Sequence, residues 1–193
     1  MSDDAVLLEV NDHIGLITLN RPGNRNSMTS DLLAAFHETV LKVQRERAVR
    51  CVIITGVGPN FCAGADFKST LGEGDRLPHE NFLALYKPFL AVADIEVPVI
   101  AALNGHAVGG GFGLALICDL RVANMQAKYG ANFTRLGIHS GMAVTYMLPR
   151  LIGLPQAMEL LLTGRLVSGA RAAEIGMMNY AEKPTGVFVF LMD

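Results

Sequence analysis

The chain has few charged residues and no large excess of either sign. Charged residues make up 18% of its 193 residues, and the formal net charge is −2. A nearly neutral chain has no broad positive field for a phosphate backbone, so nucleic acid is not expected as a partner. Because apolar residues make up 51% of the chain, we expect part of the apolar surface to be covered in a homo-oligomer.

Cysteines are few, and their spacing argues against a metal site. Cys51, Cys62 and Cys118 are an odd number at unrelated spacings, and the sequence contains no C-x-x-C pair. We therefore expect no bound metal and no disulfide framework, with the thiols reduced as in a cytoplasmic protein.

The chain also lacks a recognisable targeting signal and a continuous apolar run of membrane-spanning length. Residues 1–5 are acidic and lead into a strand-like pattern, which is unlike a secretory or organellar signal. Asn104, His106 and several glycines interrupt the longest apolar region, 97–118. The sequence thus predicts a cytoplasmic protein that does not cross a membrane.

Three common catalytic motifs are absent. A dinucleotide-binding G-x-G-x-x-G starting at Gly109 would need glycine where Leu114 stands, and one starting at Gly56 would need it at Phe61. No G-K-[ST] of a phosphate-binding loop occurs. After Gly137 the serine comes one place too late for the G-x-S-x-G of a nucleophilic serine. Nucleotide-dependent redox chemistry is therefore not indicated.

Strand-like and helix-like segments alternate along the chain. We predict two short strands within 6–19, buried strands at 51–55, 97–103 and 120–123, and helices at 30–47, 82–94, 109–117, 155–163 and 168–175. Short apolar strands that alternate with helices are typical of an α/β fold whose sheet is covered on both faces.

A run of three glycines is the most informative feature of the chain. Gly109, Gly110 and Gly111 follow a strand-like stretch and open a helix-like one. Free N–H groups and the positive end of the helix dipole meet there, and glycine lets a ligand approach the main chain. Such a site suits an oxygen atom that gains negative charge during a reaction.

Several further segments carry motifs: Asn20-Arg21-Pro22 with Asn26-Ser27, 61–66, 98–111, Cys118-Asp119 with Arg121, 136–138, 148–153, 157–164 and 173–176. In their order and spacing over roughly residues 6–180, these segments resemble the enoyl-CoA hydratase/isomerase, or crotonase, family. Several motifs in register are far more specific than a lone glycine motif.

The resemblance implies a spiral of ββα units, with residues 1–182 as an acyl-CoA-binding core and 183–193 as a divergent apolar tail. The helices that follow in the family, which cover the acyl pocket and build the trimer interface, are largely missing from this sequence. The resemblance also implies a trimer or a dimer of trimers. The ligand would be an acyl-CoA thioester, so that coenzyme A is part of the substrate and no separate cofactor is expected.

By position, the N–H groups of Ala65 and Gly110 correspond to the family's oxyanion hole, which holds the thioester carbonyl. Four further residues fall in segments that the family uses around coenzyme A: Arg25, Ala63, Asp66 and Lys68. Of these, Ala63 would act through its main chain, and Arg25 or Lys68 would contact a phosphate.

The sequence departs from the family hydratases at both of their catalytic glutamates. Gly113 and Phe133 stand in those two places, and neither residue can activate water or deliver a proton. The remaining polar candidates are His139, as a base, and Ser140, which would orient water or a carboxylate. His79 and Glu80 are weaker alternatives.

Several reactions therefore stay open: isomerisation, hydrolysis, decarboxylation or an atypical hydration. Dehalogenation is not supported, because the nucleophilic aspartate of such enzymes would fall on Gly141. Decarboxylases of the family have a tyrosine near the position of Ser140. Because a serine stands there in this chain, the match to the decarboxylases is weak. Alternatively, the protein binds acyl-CoA, or a related subunit, and performs little chemistry.

Overall fold

The structure is a computed structural model that describes residues 4–65 and 78–187. The strands of these residues are β1 (Val6–Asn11), β2 (Ile14–Leu19), β3 (Cys51–Gly56), β4 (Asn60–Cys62), β5 (Val99–Leu103), β6 (His106–Val108), β7 (Leu120–Asn124), β8 (Lys128–Gly130), β9 (Val167–Ser168) and β10 (Tyr180–Glu182). The α-helices are α1 (Ser30–Arg45), α2 (Pro78–Leu90), α3 (Gly110–Ile117), α4 (Val144–Ile152), α5 (Leu154–Thr163) and α6 (Gly169–Glu174).

The strands form two sheets. The larger has the order β1-β2-β3-β5-β7-β10, and all its neighbours are parallel except β1 and β2, which form a hairpin. The smaller has the order β4-β6-β8-β9, in which β4, β6 and β8 are parallel. The predicted α/β class is confirmed.

From β3 to β8, consecutive strands go alternately to the two sheets, and this alternation positions the candidate site. β3 leads to β4, β5 to β6 and β7 to β8, so each pair gives one strand to the large sheet and one to the small sheet. Because β4, β6 and β8 are parallel neighbours, their carboxyl ends lie at the same edge. The segments that follow them, which begin at Ala63, Gly109 and Ala131, therefore meet there, as ligand-binding loops of parallel sheets commonly do.

Helix α1 follows its sequence pattern closely. Leu32, Phe36 and Val40 recur every four residues and are fully buried, so one face of the helix packs into the core. Phe36 meets Phe89 of α2 edge to face, with ring centroids 4.8 Å apart. The helix was predicted over 30–47 and ends at Arg45.

Other elements differ from their predictions. The strands β4, β6, β8, β9 and β10 were not predicted, because strands of two or three residues are too short to show a period of two. The helix α4 was not predicted either. The helix predicted over 82–94 begins at Pro78 and changes to a 3-10 helix at Ala91–Asp94. Proline is tolerated in a first helical turn, where its missing N–H would have no partner.

The predicted apolar tail begins directly after β10. Val187 is buried in a small apolar cluster with Ile53, Ala102 and Val122 of the large sheet. The rest of the predicted tail, 188–193, lies outside the described residues. Over the ranges 4–65 and 78–187, none of the helices combines the length and the apolar character needed to cross a bilayer.

Candidate active site

A cavity of about 220 Å³ lies at the carboxyl edge of the small sheet. Its lining comes from the segments that follow β4, β6 and β8: Ala63, Gly64, Ala65, Gly109, Gly110, Asn132, Phe133 and Leu136. The first two segments touch, since a Cβ built on Gly64 would lie 3.2 Å from the Gly110 nitrogen. The structure thus brings Ala65 and Gly110, 45 residues apart in sequence, to one cavity.

The N–H groups of Ala65 and Gly110 donate to no acceptor among the described residues. The neighbouring amides are already used. Gly109 donates to the carbonyl of the last β8 residue at 3.0 Å, and Ala63 donates to the carbonyl of Arg25 at 3.1 Å. An N–H group without a protein partner is free to donate to a ligand, and that of Gly110 stands at the first residue of α3, where the helix dipole is positive.

Each glycine of the triple run meets a different steric requirement. Gly109 has a φ of +57°, which residues with a side chain rarely adopt. A Cβ on Gly110 would collide with the Met28 sulfur, and one on Gly111 would lie 2.6 Å from the Cys62 Cβ and closer still to the Cys62 carbonyl oxygen. Helix α3 can therefore approach β4 this closely only without a side chain at 111, and a side chain at 110 would require the end of the Met28 side chain to move.

The loop between β2 and α1 holds the Ala63–Ala65 segment in place. The Met28 N–H donates to the Gly64 carbonyl at 2.9 Å. Asn26, which has no exposed surface, donates through its side-chain amide to the carbonyls of Val57 at 3.1 Å and Asn60 at 2.9 Å. A buried amide that bridges two carbonyls ties this loop to the start of β4 and to the segment before it.

We expect Asn26→Asp to lower the free energy of unfolding by about 2–4 kcal/mol. The aspartate cannot donate to the two carbonyls, and it places a carboxylate where no water reaches. Urea denaturation measures the change. The matched control is Asn24→Asp in the same loop, where the side chain is exposed and the expected change is within about 0.5 kcal/mol. Equal losses in the two variants would contradict this role of Asn26.

The residues predicted to surround coenzyme A have different outcomes. Arg25 is exposed, has a φ of +61°, and accepts the Ala63 N–H at its carbonyl. Because the Ala63 N–H is already used in this hydrogen bond, a main-chain contact from Ala63 to coenzyme A would have to use the Ala63 carbonyl oxygen. Asp66 and Lys68 lie outside the described residues.

The resemblance predicts that Gly113 and Phe133 stand in the places of the family glutamates, and at Gly113 the structure leaves no room for a side chain. A Cβ on Gly113 would lie 2.6 Å from the Cβ and the carbonyl oxygen of Met142. Phe133 is 3% exposed and lines the 220 Å³ cavity. Met142 and Ala143, both with left-handed φ angles of +54° and +56°, hold the chain against Gly113. Such strain in residues with side chains is frequent at functional sites.

A second, largely apolar cavity of about 620 Å³ adjoins the first. It is lined by Phe82, Leu83, Tyr86, Leu90, Ile138, His139, Ser140, Gly141, Met142 and Ala143. The two cavities are neighbours because the Tyr86 ring is 3.7 Å from a Cβ built on Gly110. The structure thus places both predicted polar candidates in the wall of this second cavity. Ser140 is 7% exposed, whereas His139 is exposed to solvent.

Of the weaker alternatives, Glu80 is exposed on α2, and the side chain of His79 lies outside the described part. Within the ranges that the structure covers, no three His, Cys, Asp or Glu side chains cluster so that they could hold a metal ion.

Sequence reasoning missed Tyr86. This residue is 7% exposed, and burial raises the pKa of its phenol, which favours the neutral form. Its spacing from Phe82 and Leu90 is that of an ordinary apolar helix face, so its sequence pattern predicts only a core position.

Comparison with known proteins identifies the family. Residues 9–183 match the family model described as enoyl-CoA hydratase/isomerase, and the chain belongs to this family. A probable enoyl-CoA hydratase of Mycobacterium tuberculosis is 41% identical over 175 residues, which cover 90% of this chain and 68% of that protein. The suspected membership is therefore confirmed.

Two solved structures confirm the predicted fold. The crystal structure of an enoyl-CoA hydratase from Bacillus anthracis is 34% identical and has a TM-score of 0.92, covering 97% of this chain and 74% of that one. A monofunctional enoyl-CoA isomerase from M. smegmatis is 33% identical and has a TM-score of 0.82, covering 98% of this chain and 82% of that one.

Proposed function

We propose that the protein binds an acyl-CoA thioester with the thioester carbonyl oxygen in the 220 Å³ cavity, where the Ala65 and Gly110 N–H groups donate to it. The observation that carries the proposal is that these two amides, one of them at a helix N-terminus, lie at one cavity and donate to no acceptor in the part of the chain that the structure describes. Family membership supports the choice of acyl-CoA as the ligand class.

The chemistry that this arrangement favours is the formation of an enolate or related anion. When a proton leaves the carbon next to the thioester, negative charge develops on the carbonyl oxygen, and donors already aimed at that oxygen stabilise it. Removing one such donor typically slows an enzyme roughly 100- to 1,000-fold. The relatives named here include a hydratase and an isomerase, so the proposed class is proton removal or addition beside a thioester.

The acid and base must differ from the two glutamates of the hydratases, because Gly113 and Phe133 carry no ionisable group. We assign the base role to His139 and an orienting role to Ser140, since both line the cavity next to the hole. The coenzyme A part is assigned to the Ala63 carbonyl, to Arg25 and, by the resemblance alone, to Asp66 and Lys68.

The assignment predicts that a double variant, His139→Ala with Ser140→Ala, loses turnover by roughly 100- to 10,000-fold, the usual contribution of a positioned acid or base. The substrates are crotonyl-CoA and 3-butenoyl-CoA, with products followed by mass spectrometry. Binding of butyryl-CoA, which has no double bond, is followed by calorimetry. Unaltered turnover would dismiss these two residues, and a wild-type protein that binds no acyl-CoA would overturn the proposed function itself.

A second candidate function is acyl-CoA binding with little chemistry. The specific observation in its favour is that Met142 fills the space beside Gly113, where the family hydratases have a glutamate. The same substrates discriminate the two functions, because a binding protein would hold butyryl-CoA and leave both unsaturated substrates unchanged.

Self-association of the chain is also proposed. Leu154, Met158 and Leu162 recur every four residues along α5 and are all exposed, so the helix presents an apolar stripe to solvent. A stripe of this kind is typical of a surface that is covered in an oligomer. It supports the homo-oligomer predicted from the composition, and the trimer or hexamer remains an implication of the resemblance.

A further inference from the structure

The Tyr86 ring fits into a space that the absence of a side chain at Gly141 leaves open. It stacks on Phe82 with centroids 6.1 Å apart, and it lies 3.7 Å from a Cβ built on Gly110. A Cβ on Gly141 would lie 2.7 Å from the Tyr86 hydroxyl oxygen. The ring thus extends from the proposed oxyanion hole to the wall of the 620 Å³ cavity, and its hydroxyl reaches the main chain at Gly141.

The hydroxyl of Tyr86 has no hydrogen-bond partner among the described residues. In that same part of the chain, every buried side-chain nitrogen or oxygen atom has a partner, so the Tyr86 oxygen must be open to the cavity that it lines. Tyr129 behaves differently. Its hydroxyl is enclosed in the core and bonds to the Leu103 carbonyl at 3.3 Å and the Asn124 N–H at 3.1 Å.

Packing alone does not require this hydroxyl. Phenylalanine would supply the same ring against Phe82 and Gly110, and it would not place a polar atom in an apolar wall. A polar group in such a wall lowers the affinity for purely apolar ligands unless the ligand offers it a hydrogen bond. The wall of this cavity has a second hydroxyl, that of Ser140, which also has no partner in the described ranges.

We infer that the Tyr86 hydroxyl donates a hydrogen bond to an oxygen substituent on the acyl chain, so that the preferred ligands are hydroxyacyl- or oxoacyl-CoA thioesters. The inference rests on the proposed acyl-CoA function and deepens it. With the thioester carbonyl at Ala65 and Gly110, the acyl chain enters the adjoining cavity past the Tyr86 ring. A hydroxyl or carbonyl oxygen on that chain completes the hydrogen bonding of the phenol.

The test compares the affinities of butyryl-CoA and 3-hydroxybutyryl-CoA, each enantiomer separately, by calorimetry. We expect the wild type to bind 3-hydroxybutyryl-CoA with a lower dissociation constant than butyryl-CoA. In Tyr86→Phe this preference falls by roughly 3- to 10-fold, the net value of one hydrogen bond. Acetoacetyl-CoA, with a carbonyl at the same carbon, is expected to follow the hydroxyacyl ligand.

Tyr146→Phe is the matched control, because Tyr146 is exposed on α4 and does not line the cavity. It should keep the wild-type ratio, and thermal unfolding checks that both variants remain folded. If Tyr86→Phe keeps the wild-type preference for 3-hydroxybutyryl-CoA over butyryl-CoA, the inference is wrong. It is also wrong if Ser140→Ala, and not Tyr86→Phe, loses this preference. If the wild type binds none of the three ligands, the proposed function fails.

Discussion

Gly110→Pro is expected to reduce turnover of an acyl-CoA substrate roughly 100- to 1,000-fold. The substitution removes the N–H that we assign to the thioester oxygen and leaves α3 able to form, because proline is well suited to the first position of a helix. Steady-state kinetics with the unsaturated substrates gives the loss of turnover. Calorimetry with butyryl-CoA gives the loss of binding.

Gly110→Ala separates the effect of the donor from that of added bulk. Both variants add a Cβ beside Met28, whose sulfur lies at the flexible end of its side chain and can move away. Only the proline variant loses the N–H. If the two variants are equally active, the Gly110 amide has no role in the reaction, and the oxyanion hole proposed here is wrong.

Gly111→Ala is expected to destabilise the protein by about 1–3 kcal/mol and to abolish acyl-CoA binding. Its Cβ would collide with the carbonyl oxygen of Cys62, which is main chain and cannot turn aside. Helix α3 must then move away from β4, and this movement separates the Gly110 amide from the Ala65 amide. Chemical denaturation reports the stability, and calorimetry reports the binding.

The control for Gly111→Ala is Gly23→Ala. Gly23 lies in the 3-10 helix Pro22–Asn24, and a Cβ built there meets no atom within 4 Å. This variant should unfold at the same denaturant concentration as the wild type and bind butyryl-CoA with the same affinity. If Gly111→Ala changes stability and binding as little as Gly23→Ala does, the close contact between α3 and β4 is contradicted.

Local patterns in the sequence predicted the elements that are long enough to show a period. The apolar positions of α1 recur every four residues, and β3 and β5 appear as short buried runs between helices. The start of α3 at the triple glycine was predicted as well. In each case the residues that decide the structure are neighbours along the chain, so the pattern is present without the fold.

The strands of the small sheet show where this reasoning stops. β4, β6 and β8 have three residues each, and β6 contains a histidine and two small apolar residues that have no strand-like alternation. Their pairing depends on partners about 22–46 residues away, such as Asn60 with His106. Tertiary contacts of this kind override weak local propensity.

The sequence by itself determined the family, the α/β class and the two main-chain positions, Ala65 and Gly110, at which to look for an oxyanion hole. The resemblance also predicted that Gly113 and Phe133 stand where the family hydratases have their two glutamates. Only the tertiary structure decided that both amides lie at one cavity with no acceptor among the described residues, that Met142 occupies the space beside Gly113, and that Tyr86 faces Gly141. These facts depend on the distance between segments far apart in the chain, and that distance is decided by how the two sheets and the helices pack.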